Sequence, residues 1–143
     1  MRGDVSITEF PSPDWLEALK EKLNTDNHYN AVARKWEGDL YFDIRPEGNL
    51  RESVGMYLDL WHGKCRKAEL VLEKDMDKYK PEFTIAGTLA TWRKINEKKM
   101  DGTQALLTRQ LKLTGNMAKV MRATGATRAL SEATQTVKAV FPE

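Results

Sequence analysis

Cysteine, histidine and long apolar runs are what this chain has least of. Its 143 residues include one cysteine, Cys65, and two histidines, His28 and His62. A lone cysteine cannot close an intramolecular disulfide, so the fold must be held by its core, which suits a reducing compartment. His62 and Cys65 stand three positions apart but bracket a turn, and two ligands without a third do not hold zinc. The chain also has no nucleophile elbow, zincin motif, P-loop or dinucleotide fingerprint. Asp75 and Asp77 come nearest to a carboxylate pair, and Lys74, Lys78 and Lys80 around them read as a solvated loop. From these absences we expect no catalytic residue, no metal and no cofactor.

No stretch approaches the ~20 apolar residues of a membrane span, and the mean hydropathy is −0.60. The first fifteen residues lack the apolar centre of a secretory leader, and the terminal "VFPE" is not an S-K-L peroxisomal address. A cytoplasmic protein is expected. The length suits a single domain, 1–143, burying roughly 70% of the surface its unfolded chain exposes.

Acid is missing from one long stretch. Between Gly102 and Ser131 there is none, while Arg109, Lys112, Lys119, Arg122 and Arg128 are all cationic. Residues 83–143 carry ten Lys/Arg against four Asp/Glu, whereas residues 1–43 carry five against nine. Such asymmetry suggests an anionic partner, either membrane headgroups or a phosphate-bearing ligand; a merely solvated face is the alternative. Nucleic acid is not expected, because the strands lack the interleaved exposed aromatics on which bases stack.

What is present is short-period hydrophobic patterning. "SPDWLEALKEKLN" places Ser12 at an N-cap, Pro13 at the first helical position, and Leu16, Leu19 and Leu23 on one face, predicting a helix over 13–24. A short helix over 30–35 follows. Leu40, Phe42 and Ile44 then alternate with polar residues, as do Val54, Met56, Leu58 and Leu60, and Ala68, Leu70 and Leu72. Turns at 46–49 and 62–64 separate them, giving three antiparallel strands with one apolar face and one wetter face. "PEFTIAG" supplies a fourth strand with Phe83 and Ile85 inward. A helix capped by Thr88 carries Leu89, Trp92 and Ile95 on one face and continues toward Met100.

The segment "RQLKLTGNMAKVMRATG" changes period at Gly115-Asn116. Before that pair Leu111 and Leu113 alternate as in a strand over 110–114; after it Met117, Val120 and Met121 follow a helix that Asn116 caps. A break near Gly125 precedes a last helix with Leu130, Ala133 and Val137 inward, thin in apolar residues and read as a mobile cover.

From Trp36 to Arg122 the chain resembles the sterol carrier protein type 2 (sterol-transfer) domain family. The densest match is "FTIAGTLATWRKINEKKMDGTQALLTRQLKLTGNMAKVMR", in which Leu111-Lys112-Leu113-Thr114-Gly115-Asn116-Met117 stands on the family's strand-to-helix joint. One departure is Arg109-Gln110, where Gly-Lys is common in the family. The resemblance implies an α+β fold: a five-stranded mixed, mainly antiparallel sheet covered on one face by helices, enclosing an apolar tunnel. It further implies a non-enzymatic carrier of a fatty acid, fatty acyl-CoA or sterol-like lipid. The inward-phase residues of the matched segment, Phe83, Ile85, Trp92, Leu107, Leu111, Leu113, Met117, Val120 and Met121, are the expected lipid-binding wall. The five cations are the expected membrane or phosphate contacts. Two other classes fit the same fold: a regulatory module that forms a homodimer through its sheet edge, and a small acyl-thioester enzyme.

Overall fold

The computed structural model describes residues 8–141; the expectations that concern residues 1–7 and the terminal Pro-Glu lie outside them. Helix α1 (Pro13–Thr25) follows its signals: the Ser12 hydroxyl accepts from the Trp15 N–H at 3.1 Å, and Leu16, Leu19 and Leu23 are buried. The second helix, α2 (Asn27–Val32), begins three residues before the expected 30–35. Asp26 is the cause, since one of its carboxylate oxygens accepts from the N–H groups of both His28 and Tyr29.

Strands β2 (Glu37–Arg45), β3 (Val54–Trp61) and β4 (Lys64–Leu72) form the antiparallel meander, after a short β1 (Thr8–Glu9). The β3–β4 turn holds His62 at φ 51° and Gly63 at φ 81°, the left-handed pair that a two-residue hairpin requires. Strand β5 (Phe83–Thr88) lies parallel to β2, and β6 (Lys112–Thr114) lies antiparallel to β5, giving the order β4-β3-β2-β5-β6. The sheet is thus mixed and mainly antiparallel.

Register puts one apolar set on the helical side. Leu40 faces Phe83, Phe42 faces Ile85, and Ile85 faces Leu113, so their side chains share a face. In β4 the phase is broken by a bulge: Asp59 pairs with Lys67 but Leu60 with Cys65, leaving Arg66 as the extra residue. Cys65 therefore turns inward and is 2% exposed, while Ala68, Leu70 and Leu72 keep the expected phase opposite Leu58, Met56 and Val54, although Leu72, at the strand end, is 50% exposed. Burial pushes the Cys65 thiol up to about 12, which leaves it a protonated, inert thiol at neutral pH.

The opposite face of the sheet is less wet than its alternation suggests. The segment 73–82 folds over it, with Tyr79 stacked on Tyr57 at 3.9 Å and the Tyr41 hydroxyl donating to the Met76 carbonyl. Tyr41, Tyr57 and Val71 form a second small core there.

On the helical face, α3 (Leu89–Asn96) is capped by Thr88 and stops earlier than expected, at Asn96. Lys98 takes φ 64°, and Lys98 and Lys99 donate back to the Ile95 and Lys94 carbonyls, a Schellman ending. Helix α4 (Gly102–Leu107) ends the same way: Arg109 sits at φ 64°, donating to Leu106 O, while Gln110 donates to Ala105 O. That ending uses residues 109–111, so β6 is only three residues long.

Gly115 then turns the chain at φ 132° with its α-carbon face against Phe83; a Cβ there would lie 2.5 Å from the ring and 2.8 Å from Glu82 O. The Asn116 side chain caps α5 (Met117–Arg122) by accepting from Lys119 N–H, so the period change is the expected joint. After a break at Ala123, α6 (Thr124–Thr136) runs across the molecule and touches all five other helices. It is a central packing element rather than a thin cover. Its far end is tied down where the Trp15 indole and the Asn96 amide both donate to Val137 O, at 2.8 Å each. Beyond it β7 (Ala139–Val140) pairs parallel with β1, and Phe141 packs on Phe10.

Candidate functional site

The inward rows of β2, β5 and β6 do not fill the space beneath α4, α5 and α6. Two chambers remain. The first, about 40 Å³, lies between Trp36, Leu40 and Phe83 on one side and Val120 and Ala126 on the other. The second, about 50 Å³, lies between Phe42, Trp92, Ile95 and Leu111 and the α6 residues Ser131 and Thr134. Ile85, Leu106, Thr127 and Leu130 border both, so these four side chains form the partition. No charged residue lines either chamber. Both are far smaller than the ~300–1,000 Å³ of small-molecule pockets, so a lipid enters only if their linings part.

A third chamber of about 40 Å³ lies between α4, α5 and the start of α6, and an open groove of about 540 Å³ runs outside it along α4, β6 and α5. Leu106 borders all four spaces. With Leu113, shared by the first chamber and the groove, and Leu111, shared by the second chamber and the groove, it stands between the groove and the interior.

The structure divides the expected wall into two groups. Phe83, Trp92, Leu111 and Val120 are buried, and Ile85 and Leu113 are half-buried; all six face the chambers. Trp92 is fixed by its indole N–H, which donates to Gly87 O at 3.2 Å, and by the Phe42 ring at 5.0 Å. Leu107, Met117 and Met121 are 66%, 44% and 49% exposed and line the outer groove. They also line the third chamber; the most inward positions of these short helices are taken by Leu106 and Val120.

The cations also divide. Arg109 and Lys112 stand on the groove, exposed and without an ion pair among the described residues. Arg122 and Arg128 are exposed on α5 and α6 and do not line it. Lys119 departs from the expected outward cationic face. Its ammonium donates to Glu82 Oε2 at 2.8 Å and to Glu37 O at 2.5 Å, and lies over the Trp36 ring at 5.0 Å from its centre. It fastens α5 to the ends of β2 and β5.

Residues 16–128 match the sequence model of the SCP-2 sterol transfer family. The chain belongs to that family. The likeness extends to solved structures: a crystal structure of sterol carrier protein 2 is 31% identical over 90% of this chain and 99% of its own, with a TM-score of 0.82. The solution structure of a possible sterol carrier protein from Thermus thermophilus is 30% identical over 96% of this chain and 95% of its own, with a TM-score of 0.81. The ubiquinone synthesis protein UbiJ, at 14% identity over 82% of this chain and 87% of its own, shares the fold alone, with a TM-score of 0.51. Among curated protein sequences no significant match is found.

Two features of this sterol transfer domain were not read from its sequence. Leu106 lies next to the chosen Leu107, and only the phase of α4 distinguishes them. Thr103, also on α4, borders the third chamber, and its buried hydroxyl has no hydrogen-bond partner. No pattern in the sequence marks it out.

Proposed function

We propose that the whole chain, 1–143, is a non-enzymatic cytoplasmic carrier that holds a fatty acid, its CoA ester or a sterol-like lipid between sheet and helices. The observation that carries this reading is the almost wholly apolar lining that runs from the outer groove past Leu106 into both uncharged inner chambers. Rotation of Leu106 and its neighbours on the partition joins the chambers into one passage. A sixteen-carbon chain gains roughly 12 kcal/mol gross on burial at ~0.8 kcal/mol per CH₂. Ordering of ligand and protein reduces this to a middling affinity, from which release into a membrane remains feasible. The lipid's exposed end meets Arg109 and Lys112 at the groove, and Arg122 and Arg128 extend the cationic surface toward phosphates or anionic headgroups.

A fluorescent fatty acid bound by the protein should be displaced by palmitate and by palmitoyl-CoA. Leu106→Trp, which plugs the partition, should weaken both by more than about tenfold, a loss of about 1.4 kcal/mol, in a protein whose circular dichroism matches wild type. Failure of the wild type to bind the probe, or undiminished binding by a folded Leu106→Trp protein, would overturn the reading.

A further inference from the structure

We propose that α5 is the entrance gate of the carrier and that Lys119, paired with Glu82, is the latch that holds it shut, an assignment that rests on the carrier reading.

The interior needs a gate. The three chambers measure about 40 to 50 Å³ each, against about 540 Å³ for the groove outside them. An acyl chain lying in the groove goes further only when one of the covering helices moves. Two of the three are pinned. Helix α6 buries Ala129 and Ala133, and its far end is held by the Trp15 and Asn96 bonds to Val137 O. Helix α4 is locked onto α6: the Gly102 N–H donates to Ser131 Oγ at 3.0 Å, a Cβ on Gly102 would lie 2.6 Å from that oxygen, and Ala105 is fully buried.

Helix α5 is not pinned in this way. Of its six residues only Val120 is buried, while Met117, Ala118, Met121 and Arg122 are exposed. A segment that buries so little apolar surface opens locally at a low free-energy cost. Each end has a pivot: Gly115, at φ 132° against Phe83, precedes it, and the break at Ala123 follows it, with the Thr124 hydroxyl donating back to Met121 O at 2.7 Å. Val120 borders the first and third chambers, and Met117 and Met121 border the third chamber and the groove. Lifting α5 therefore opens one path from the groove to the first chamber.

Lys119 closes that path. Its ammonium donates to Glu82 Oε2 at 2.8 Å and to Glu37 O at 2.5 Å, and lies 5.0 Å and 5.6 Å from the ring centres of Trp36 and Phe83. All four partners stand at the starts of β2 and β5, so every one of these contacts crosses from the gate to the sheet. Trp36 and Phe83 also line the first chamber, which places the latch on the wall of the space it closes.

The test measures stopped-flow uptake of a fluorescent fatty acid, its release into excess palmitate, and its equilibrium affinity. Glu82→Gln breaks the ion pair alone and should speed uptake and release about three- to fivefold. Lys119→Gln also removes the contacts with both rings and should speed them roughly five- to tenfold. The latch holds the gate whether or not lipid is inside, so the two rates rise together and Kd stays within about twofold of wild type. Lys78→Gln breaks the Lys78–Glu69 pair at 2.9 Å, on the segment that covers the opposite face of the sheet, and should leave both rates unchanged. Unchanged rates in Glu82→Gln and Lys119→Gln, an equal acceleration in Lys78→Gln, or faster release alone with a loss of affinity would overturn the gate. Wild type that binds the probe while both latch variants exchange it at the wild-type rate removes only the gate; wild type that binds no probe removes the carrier reading as well.

Discussion

Arg109 carries two opposed consequences on one residue. Its backbone at φ 64° is the left-handed conformation in which a Cβ crowds the carbonyl, at about 1–2 kcal/mol for a non-glycine residue. Arg109→Gly removes that strain but adds about 0.5–1 kcal/mol of unfolded-state freedom, so the net gain is about 0.5–1 kcal/mol. With an unfolding entropy of about 2.1 cal/mol/K per residue, a 143-residue chain should rise in Tm by roughly 2–3 °C. The same substitution removes one of the two groove cations, worth up to about 1 kcal/mol near an anionic membrane, or about fivefold in binding. Thermal unfolding, and transfer of a fluorescent lipid to anionic against neutral vesicles at low salt, should therefore move in opposite directions. Arg109→Gln separates the two effects: it keeps the strain, loses the charge, and should lose vesicle discrimination with no gain in Tm. If Arg109→Gly is no more stable than Arg109→Gln, the strain argument is wrong; if transfer ignores both substitutions, the groove cations meet only solvent.

Three further outcomes follow from named contacts. Lys119→Gln should lower stability by about 1 kcal/mol through loss of its ammonium contacts with Glu82, Glu37 O and Trp36; Arg122→Gln should leave stability unchanged and reduce transfer to anionic vesicles, with urea titration and the vesicle assay as readouts. Gly115→Ala should cost at least about 2 kcal/mol in a urea titration, because a Cβ would strike Phe83 and the Glu82 carbonyl, which is backbone and cannot rotate away. Burial raises the pKa of Asp43 more than the Arg45 guanidinium at 3.1 Å and the hydrogen bond it donates lower it, and one carboxylate oxygen is left without a partner. Its folded pKa therefore lies above its unfolded one, so its contribution is greatest below the ordinary carboxylate range and is lost as pH rises through the raised value. Asp43→Asn should accordingly be the more stable protein at neutral pH and lose that advantage as the pH falls into the ordinary carboxylate range, as thermal unfolding across pH would show.

Most of the frame was legible because its signals are local. Ser12, Thr88 and Asn116 each accept the amide hydrogen bond their position implies, and the switch of period at Gly115-Asn116 is a true strand-to-helix joint. What was not legible depends on contacts distant in sequence or on phase within very short helices. The bulge at Arg66 leaves the Ala68, Leu70 and Leu72 phase intact but turns Cys65 inward, and nothing in "KCRKAELVL" announces it. Tyr41 and Tyr57 read as the wetter face until Met76 and Tyr79, far later in the chain, fold over them. In α4 and α5, six residues each, neighbouring apolar positions cannot be ranked by periodicity, so Leu107 stood in for Leu106, and Met117 and Met121 stood beside the buried Val120. Lys119 looked like its basic neighbours, yet only it has Glu82 and two aromatic rings within reach.

The departure at Arg109-Gln110 has a structural counterpart. A glycine at Arg109 would take φ 64° without strain, and the chain holds that geometry with arginine instead, through the two Schellman hydrogen bonds to Leu106 O and Ala105 O. The backbone there sets the arginine beside the groove, where the carrier reading needs it.

The most direct test of the central claim is native mass spectrometry of the protein purified from its source, followed by extraction and identification of whatever it carries. The carrier account predicts a monomer with one lipid bound, released on extraction as a long-chain molecule. A lipid-free dimer, unable to take up palmitate, palmitoyl-CoA or hexadecanol on incubation, would contradict it.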